Sequence, residues 1–460
     1  MSQRVGPVMR KLSAYIAQAL RRPLPADVAE HARHHLLDTL AAMISGTRLP
    51  PGVRAIHYVR SLGGAPEATV VGTRYRTNAV NAALANGMLA HADETDDSHS
   101  PSLTHPGCGI VSAALAMAER EHQSGTALLR AVALGYDVCT RLSLSLGGVG
   151  FGRLGHMTHC FGATFGAAAA GAALARLNDA QVRHVLSYAA QQASGISSYG
   201  RDLEHVEKAF DFGGMPARNG VTAATLVASG CTGVDDVFTG ERNFFHANDE
   251  SSRIGAPPDP QCLIRGLGRR WEIAHTNIKR WSVGSPIQAP LDSLLELMRA
   301  EKFSPDEVDQ VVVRVYTAGA RIADASEMPD INMQHLCALM LVDGTVTFKA
   351  AHDVQRMRDP QVLRLRRRIR LVGDAALEKL RPEKHAIVEV TLNNGRRLRH
   401  HTRAVRGSAQ NPMTRAEVAE KALDLMAPVL GALRARKLCD AIWNLDRLPD
   451  VRALRPLLSK

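Results

Sequence analysis

A succession of Ala-, Leu- and Gly-rich segments with helical spacing fills the first half of the chain. In residues 27–45, Val28, Leu36 and Leu40 recur on one side of a helix, and Gly46 follows as a stop signal. Comparable segments occupy residues 76–92, 108–121, 124–146, 161–177, 179–193 and 216–229. Because small residues let helix backbones approach closely, these segments predict a tightly packed helical core domain.

The pattern changes near residue 265, where strand-like alternation begins. Residues 308–316 and 386–392 read as strands, and Asn394-Gly395 is a hairpin signal before a returning strand at 397–405. Helices are expected over residues 332–342, 359–369 and 414–444. These elements predict a mainly α fold with one smaller α+β domain. That domain spans 267–404, and the helical core domain consists of residues 1–266 and 405–460.

Lysine and arginine outnumber aspartate and glutamate by 56 to 45, which gives a formal net charge of +11. Aromatic residues make up only 4% of the chain, so stacking platforms for nucleic acid are not apparent. The longest small-apolar stretch, residues 161–177, contains Arg176 and is shorter than the roughly 20 residues of a membrane span. We therefore expect neither nucleic acid nor a membrane as partner, and a positive field suits small anions.

Sequence signatures of disulfides, metal clusters and nucleotide cofactors are missing from the chain. The seven cysteines are scattered and form no CxxC pair, which favours a reducing, cytoplasmic location. The glycine-rich stretch 147–152 lacks the GxGxxG spacing, and neither a Walker motif nor a GxSxG elbow occurs. We therefore expect no nicotinamide or flavin cofactor.

The densest polar cluster runs from His91 to His99 and continues through His105-Pro106-Gly107. Four carboxylates fall within five residues there: Asp93, Glu94, Asp96 and Asp97. They repel one another unless cations, a metal or hydrogen bonds compensate. The residues alone leave three interpretations open, namely a metal site, a general acid–base centre and a solvated acidic loop.

Two further clusters carry histidine, lysine or arginine. In residues 155–159, His156 is either a core histidine or an acid–base group. In residues 205–220, Lys208 and Arg218 flank a glycine pair that could present backbone N–H groups to an anion, or they are solvated cations.

A fourth cluster occupies residues 278–289 and begins a helix. Its first residues include Lys279 and Arg280. Because helix N-termini suit carboxylate groups, this segment is a candidate for binding an acidic small molecule.

In this order, the clusters resemble the MmgE/PrpD family, whose members include 2-methylcitrate dehydratase, cis-aconitate decarboxylase and iminodisuccinate epimerase. The resemblance covers nearly the whole chain. It rests on His91 with Asp96-Asp97, His105-Pro106-Gly107, Gly155-His156-x-Thr158, Lys208 with Arg218-Asn-Gly220, Lys279 with the following Trp-Ser-Val-Gly, and Met333-Gln334-His335 through Asp343-Gly344. The resemblance implies an α+β lid domain inserted into a large all-helical domain, a homodimer, and metal-independent chemistry without cofactors on small di- or tricarboxylates.

The resemblance also assigns site residues. The implied catalytic residues are His105, His156, Lys208, Lys279 and Asp93, and the implied substrate-binding residues are Glu94, Asp97, Ser98, Arg218, Arg280 and His335. Glu94 stands where the family has an aspartate, with Asp93 beside it. Ser98 replaces a threonine, and His335 stands at a tyrosine position.

The implied function is that of a lyase like 2-methylcitrate dehydratase, which removes a proton next to a carboxylate and eliminates water. The carbanion formed in that step requires positive charge where negative charge develops. Decarboxylation and epimerisation need the same carbanion, so a decarboxylase and an epimerase on the same fold are alternatives. A non-catalytic anion- or RNA-binding member is a further alternative.

Overall fold

The chain divides into two compact units. The computed structural model describes residues 5–460, so the first four residues of the segment 1–266 lie outside the described part. One unit contains the described residues up to Thr276 together with Val418–Lys460, and the other is Asn277–Glu417. The expectation of a mainly α protein with a smaller α+β region is confirmed. The second unit begins and ends further along the chain than the expected range 267–404.

The first unit is built mainly from helices. They are α1 (Pro7–Gln18), α2 (Ala26–Gly46), α3 (Pro50–Leu62), α4 (Ala79–Ala90), α5 (Pro106–Arg120), α6 (Gly125–Ser145), α7 (Val149–Arg153), α8 (Thr158–Leu174), α9 (Asp179–Gln192), α10 (Val206–Ala209), α11 (Met215–Ala228), α12 (Phe244–Ala247) and α13 (Ser251–Ile254). Two short strands, β1 (Ala68–Thr69) and β2 (Arg76–Thr77), pair antiparallel. A 3-10 turn covers Ser197–Arg201, and a π-helical turn covers Phe210–Gly214 between α10 and α11. Across residues 5–460, each helix is too short or too polar to span a bilayer.

Helix α8 lies at the centre of the first unit and packs against α5, α6 and α11. All of its residues are buried. A Cβ atom added to Gly166 would lie 2.5 Å from the carbonyl oxygen of Gly135 on α6, so a larger residue there would push the two helices apart. The Ala- and Gly-rich composition of this segment therefore produces the close packing.

The second unit contains a four-stranded sheet. Its strands are β3 (Val308–Tyr316), β4 (Ile369–Asp374), β5 (Ala386–Leu392) and β6 (Arg397–Thr402), in the order β4-β3-β5-β6. Strand β3 runs parallel to β4 and antiparallel to β5, and β5 pairs antiparallel with β6. The helices are α14 (Gln288–Glu301), α15 (Thr317–Ala323), α16 (Met333–Asp343), α17 (Phe348–His352), α18 (Pro360–Arg366) and α19 (Ala375–Glu378). Alternating valines of β3, including Val311 and Val313, lie in the core of this unit.

The helix expected over residues 359–369 is partly wrong. It ends at Arg366, and strand β4 begins at Ile369. Ile369 pairs with Val311 and Leu371 with Val313, so the hydrogen bonds of a neighbouring strand determine this segment. That pairing is distant in sequence and leaves no local signal.

The chain ends in three helices, α20 (Arg415–Leu430), α21 (Ala432–Trp443) and α22 (Arg455–Leu458). Gly431, at φ 82°, separates the first two, so the expected helical stretch 414–444 is broken once. Because glycine adopts positive φ without steric cost, it ends one helix and redirects the chain into the next.

Glu417 fastens the start of α20. Its Oε1 accepts a hydrogen bond from Arg406 Nε at 2.9 Å, and its Oε2 accepts one from the backbone N–H of Thr414 at 2.8 Å. Hydrogen bonding from Arg406 outweighs burial and lowers the pKa of Glu417 to about 2. Because the folded state favours the ionised carboxyl, Glu417 stabilises the fold fully above the ordinary pKa of 4.5. This contribution to the free energy of unfolding is lost as the pH falls toward about 2.

We expect Glu417→Gln to lower the free energy of unfolding by about 1–2 kcal/mol at neutral pH, because a charge-assisted pair with Arg406 is lost. Urea unfolding at several pH values should show that the difference from wild type is constant above about pH 5 and shrinks below about pH 4. Glu389→Gln is the matched control, since Glu389 also faces arginine, but its two arginine partners lie at 3.6 Å and 3.7 Å and its side chain is exposed. Its effect should stay within about 0.5 kcal/mol. A difference for Glu417→Gln that persists unchanged near pH 3 would contradict the assignment.

Candidate active site

The acidic cluster forms the loop between α4 and α5, and it is buried. Each of its four carboxylate residues is at most 7% exposed, so the interpretation as a solvated loop is wrong. Asp97 fixes the loop from inside: Oδ1 accepts from the Gly107 N–H at 2.9 Å, and Oδ2 accepts from the Tyr136 hydroxyl at 2.6 Å. Asp97 Oδ2 also lies 2.7 Å from His35 Nδ1. Asp97 therefore positions the loop through helices α2, α5 and α6.

The front of the loop is held by a local turn and a buried lysine. Asp93 accepts from the backbone N–H of Thr95 at 3.0 Å and from its hydroxyl at 2.6 Å. Lys421 Nζ donates to the Thr95 carbonyl at 3.0 Å and lies 2.6 Å from Asp38 Oδ1. These contacts tie the loop to α20 and α2 within the first unit.

Asp96 joins two histidines. Its Oδ1 lies 3.0 Å from the Nδ1 atoms of both His91 and His105. Burial alone would raise the pKa of the Asp96 carboxyl, but the charges of both imidazoles and their hydrogen bonds hold it well below its usual range. With the Nδ1 proton directed at Asp96, the lone pair of His105 lies on Nε2. That tautomer suits His105 to accept a proton from a carbon acid.

Glu94 and Lys208 form an ion pair. Glu94 Oε1 accepts a hydrogen bond from Lys208 Nζ, and the ammonium group also lies 5.3 Å from the ring centroid of Phe212 and 5.8 Å from that of Tyr199. The pair is mostly shielded from solvent. A charged ammonium in such surroundings interacts strongly with any carboxylate that reaches it.

Phe212 is the aromatic centre of the cluster. Its ring stacks on His91 at 4.2 Å and on His159 at 3.9 Å, and it lies edge-on to His105 at 5.3 Å. Phe212 belongs to the π-helical turn Phe210–Gly214, a type of irregularity that is frequent at functional sites. This apolar ring lowers the local dielectric around three imidazoles and the Lys208 ammonium.

A glycine contact sets the position of that turn against α4. A Cβ atom added to Gly213 would lie 2.1 Å from the carbonyl oxygen of Gly87. Only glycine at this position permits the approach, which brings His91, at the end of α4, face to face with Phe212.

Two more buried histidines line the cluster. Among residues 5–460, neither Nε2 of His205 nor Nδ1 of His159 has a hydrogen-bond partner. Burial, Lys208 and His91 lower the pKa of His205 to about 3. Burial and the neighbouring His105 lower the pKa of His159 well below its usual value. Both imidazoles are therefore neutral at physiological pH, and each carries one donor and one acceptor nitrogen.

Two sets of side chains have the ligand types of a metal site. One ligand atom from each of His91, Asp96 and His105 lies within 4.8 Å of the others, and the same holds for His91, Glu94 and His205. Imidazole and carboxylate ligands suit zinc, manganese and iron. In the second set, the ammonium of Lys208 already neutralises Glu94 and would repel a cation.

Family models match most of the chain. The MmgE/PrpD N-terminal domain matches residues 10–254, and the MmgE/PrpD C-terminal domain matches residues 281–447. The chain belongs to the MmgE/PrpD family. The resemblance of the ordered motifs is thereby confirmed.

Curated MmgE/PrpD relatives align along nearly their full length. The cis-aconitate decarboxylase-like protein oryM of Aspergillus oryzae is 24% identical, and the alignment covers 99% of this chain and 98% of that protein. The cis-aconitate decarboxylase of Aspergillus terreus is 23% identical, with 95% of this chain and 92% of that protein covered.

Several of the residues to which the MmgE/PrpD resemblance points lie together in the first unit. Glu94 contacts Lys208, and both His105 and Lys208 pack around Phe212. His105 retains 11% side-chain exposure, whereas His91 is completely buried. His105 is therefore the more accessible of the two histidines that flank Asp96.

His156, at the family's second histidine position, has different neighbours. Its Nε2 lies 2.8 Å from Glu250 Oε1, and its ring stacks on Phe151 at 4.0 Å. Besides His91, the histidine that packs against His105 is His159, and both lie 5.1 Å from it between ring centroids. Residue 156 precedes α8, whereas residue 159 lies within its first turn.

The other candidate binding residues occupy three places. In the first unit, Ser98 is buried in the acidic loop. Arg218 lies over the Phe210 ring and donates to the Asn219 side chain at 3.0 Å and 3.1 Å. Within the second unit, Lys279 and His335 are buried, and Arg280 lies 4.7 Å over the ring of Trp281.

Sequence reasoning did not assign His159, His205 or Phe212 to the site. A signal was present for the two histidines, because His159 follows His156 by three residues and His205 precedes Lys208 by three. Phe212 had no such signal, since its position depends on the π-helical turn and on the contact between Gly213 and Gly87.

Proposed function

We propose that this MmgE/PrpD protein is a lyase, independent of metal and cofactor, that eliminates water from a small hydroxylated di- or tricarboxylate in the manner of 2-methylcitrate dehydratase. The observation that supports it is the Asp96–His105 pair beside Lys208, buried around Phe212. This arrangement combines a positioned base with a positive charge in a shielded environment, which a carbon acid next to a carboxylate requires.

His105 is the proposed base. Its Nε2 takes the proton from the carbon next to a substrate carboxylate, and the electron pair of that C–H bond forms the new double bond. The C–O bond on the neighbouring carbon breaks with its electron pair, and the departing hydroxide takes a proton to leave as water. Asp96, which faces Nδ1 of His105, stabilises the imidazolium formed in the first step.

The second proton transfer has two candidate histidines. The family position assigns it to His156, whereas the contact with His105 favours His159. A neutral imidazole such as His159 donates the N–H that faces the leaving hydroxide and regains a proton from the neighbouring His105 imidazolium, so that both rings end neutral.

The proposed binding groups are cationic or polar. Lys208 and Lys279 hold carboxylates and stabilise the developing negative charge, while Asp93, Glu94 and Asp97 orient the loop and the lysine. Ser98, Arg218, Arg280 and His335 complete the proposed substrate-binding set. The overall positive charge of the chain favours the approach of a polyanion.

A decarboxylase is the second candidate function, favoured by the names of the two Aspergillus relatives. Loss of carbon dioxide from a carbon next to a double bond generates a carbanion. A protonated histidine would protonate that carbon, and the Lys208 ammonium would stabilise the negative charge. The same residues would also serve an epimerase. The three reactions therefore differ in which bond breaks, and they share the protonation chemistry at one carbon.

A substrate panel in heavy water tests the proposal. Hydroxy-tricarboxylates, unsaturated tricarboxylates and amino-dicarboxylates are incubated with the full chain, and proton NMR follows both product formation and hydrogen exchange. Elimination of water from a hydroxy acid is expected, and activity should survive EDTA. Release of carbon dioxide without dehydration would replace the first proposal by the second. Loss of activity in EDTA that a divalent ion restores would overturn metal independence, and neither turnover nor exchange would favour a non-catalytic anion binder. We also propose that the protein forms a homodimer, as the family resemblance implies, and light scattering tests this.

Lys208→Met should raise KM by about tenfold or more, because a shielded ammonium that faces the substrate carboxylate is lost. The single change also leaves Glu94 without the ammonium that neutralises it, so the double variant Lys208→Met/Glu94→Gln separates the two effects. Steady-state kinetics should show a raised KM in both variants, and thermal unfolding should show recovery of stability in the double variant. A KM that returns to wild type in the double variant would contradict direct substrate binding by Lys208.

A further inference from the structure

We propose that His205 is a substrate-binding residue whose Nε2–H donates a hydrogen bond to a carboxylate group. The proposal rests on the proposed function for the class of ligand, a small polycarboxylate. The motifs that carry the family resemblance above do not include His205; its burial, its backbone conformation and its neighbours support the assignment.

The first observation is an unsatisfied nitrogen. His205 is 4% exposed, and its Nε2 has no hydrogen-bond partner among the described residues. Buried polar atoms in proteins are nearly always hydrogen-bonded, because desolvating them without a partner costs free energy. One ligand atom of His205 lies within 4.8 Å of those of His91 and Glu94, which places the imidazole in the cluster that holds Lys208.

The second observation is backbone strain. His205 has φ 60° and ψ 13°, in the left-handed region that non-glycine residues seldom occupy. Residues held in such conformations cluster at ligand sites. Here the conformation starts α10, so the same turn places the His205 imidazole and, three residues later, Lys208 in one cluster.

The third observation is electrostatic and favours an anion over a cation as the ligand. Lys208 carries a positive charge next to Glu94, and the ring of His91 lies 5.2 Å from that of His205. A neutral imidazole donates one N–H. The N–H of His205 and the ammonium group of Lys208 together complement one carboxylate. One carboxylate oxygen accepts from each of the two groups.

Two substitutions at His205 separate binding from folding. Glutamine extends an amide N–H to nearly the reach of imidazole Nε2, whereas the amide of asparagine ends near the position of Nδ1. Asparagine adopts positive φ more readily than glutamine. If His205 binds a carboxylate, the two variants should therefore rank in opposite orders for affinity and for stability. His205→Gln should retain more of the affinity, and His205→Asn should retain more of the stability.

The experiment uses the full chain and tricarballylate, a tricarboxylate without a hydroxyl group or a double bond, which cannot undergo elimination of water. Calorimetric titration should show that His205→Asn weakens the Kd by at least about tenfold and that His205→Gln stays within about threefold of wild type. Thermal unfolding should rank His205→Asn at or above His205→Gln. Equal Kd values in all three proteins, or losses of binding that follow the losses of stability, would overturn the proposal, as would absence of tricarballylate binding to wild type.

Titration with Zn²⁺ tests a cation as the alternative occupant. Zinc binding that disappears in both His205 variants, with tricarballylate binding unchanged, would overturn the carboxylate assignment. The outcome is separate from that of the proposed function, because tricarballylate binding requires no turnover. If the protein dehydrates a substrate but the Kd of tricarballylate does not depend on His205, only this inference is wrong. If tricarballylate binding depends on His205 but no turnover occurs, only the proposed reaction is wrong.

Discussion

His105→Asn should lower kcat by about 10²–10⁴-fold and abolish hydrogen exchange at the substrate carbon, because the group that accepts the proton is lost. The amide of asparagine ends near the position of Nδ1 and can still donate to Asp96, so the buried carboxylate is not left without a donor. The Kd of tricarballylate should remain within about threefold of wild type, since binding relies on the cationic groups around Lys208. Single-turnover kinetics measures product formation, and hydrogen exchange in heavy water independently measures proton removal from the substrate carbon.

His91→Asn is the matched control for this substitution. His91 meets the same Asp96 oxygen at the same 3.0 Å but is completely buried, whereas His105 is partly accessible. The His91 variant should therefore lose much less activity than the His105 variant. Similar losses for both, accompanied by similar losses of thermal stability, would show that the Asp96 contacts support the fold and that neither histidine is the base.

Local periodicity explains why most of the first unit could be predicted. Segments such as residues 124–146 and 179–193 carry their apolar spacing within their own sequence, and the corresponding helices α6 and α9 begin and end within a residue of these limits. Strand β4 could not be predicted in this way, because the residues around Ile369 become a strand only when β3 supplies hydrogen bonds. The hairpin of β5 and β6 could be predicted, since its Asn-Gly turn is local.

The site was predictable in its loops and less so in its individual side chains. The carboxylates between Asp93 and Asp97 marked the buried loop, but their different functions depend on partners far along the chain, such as Tyr136 for Asp97. His205 required knowledge of a left-handed turn, which the sequence does not specify because many residue types precede short helices. Sequence motifs located the chemistry, and non-local packing determined which atoms face one another.

The second large effect should distinguish two histidines that are three residues apart. We expect His159→Gln to lower kcat by about 10²-fold or more, because His159 packs against His105 and is the proposed proton donor for the leaving group. His156→Gln should lower kcat by about tenfold or less, since His156 binds Glu250 and stacks on Phe151. Loss of the donor should leave exchange at the substrate carbon largely intact, because that step requires His105 alone. Stopped-flow product formation, measured beside exchange in heavy water, therefore assigns each histidine to one proton. The reverse order of the two variants would return the second proton transfer to His156, and it would mean that the contact between His105 and His159 serves packing only.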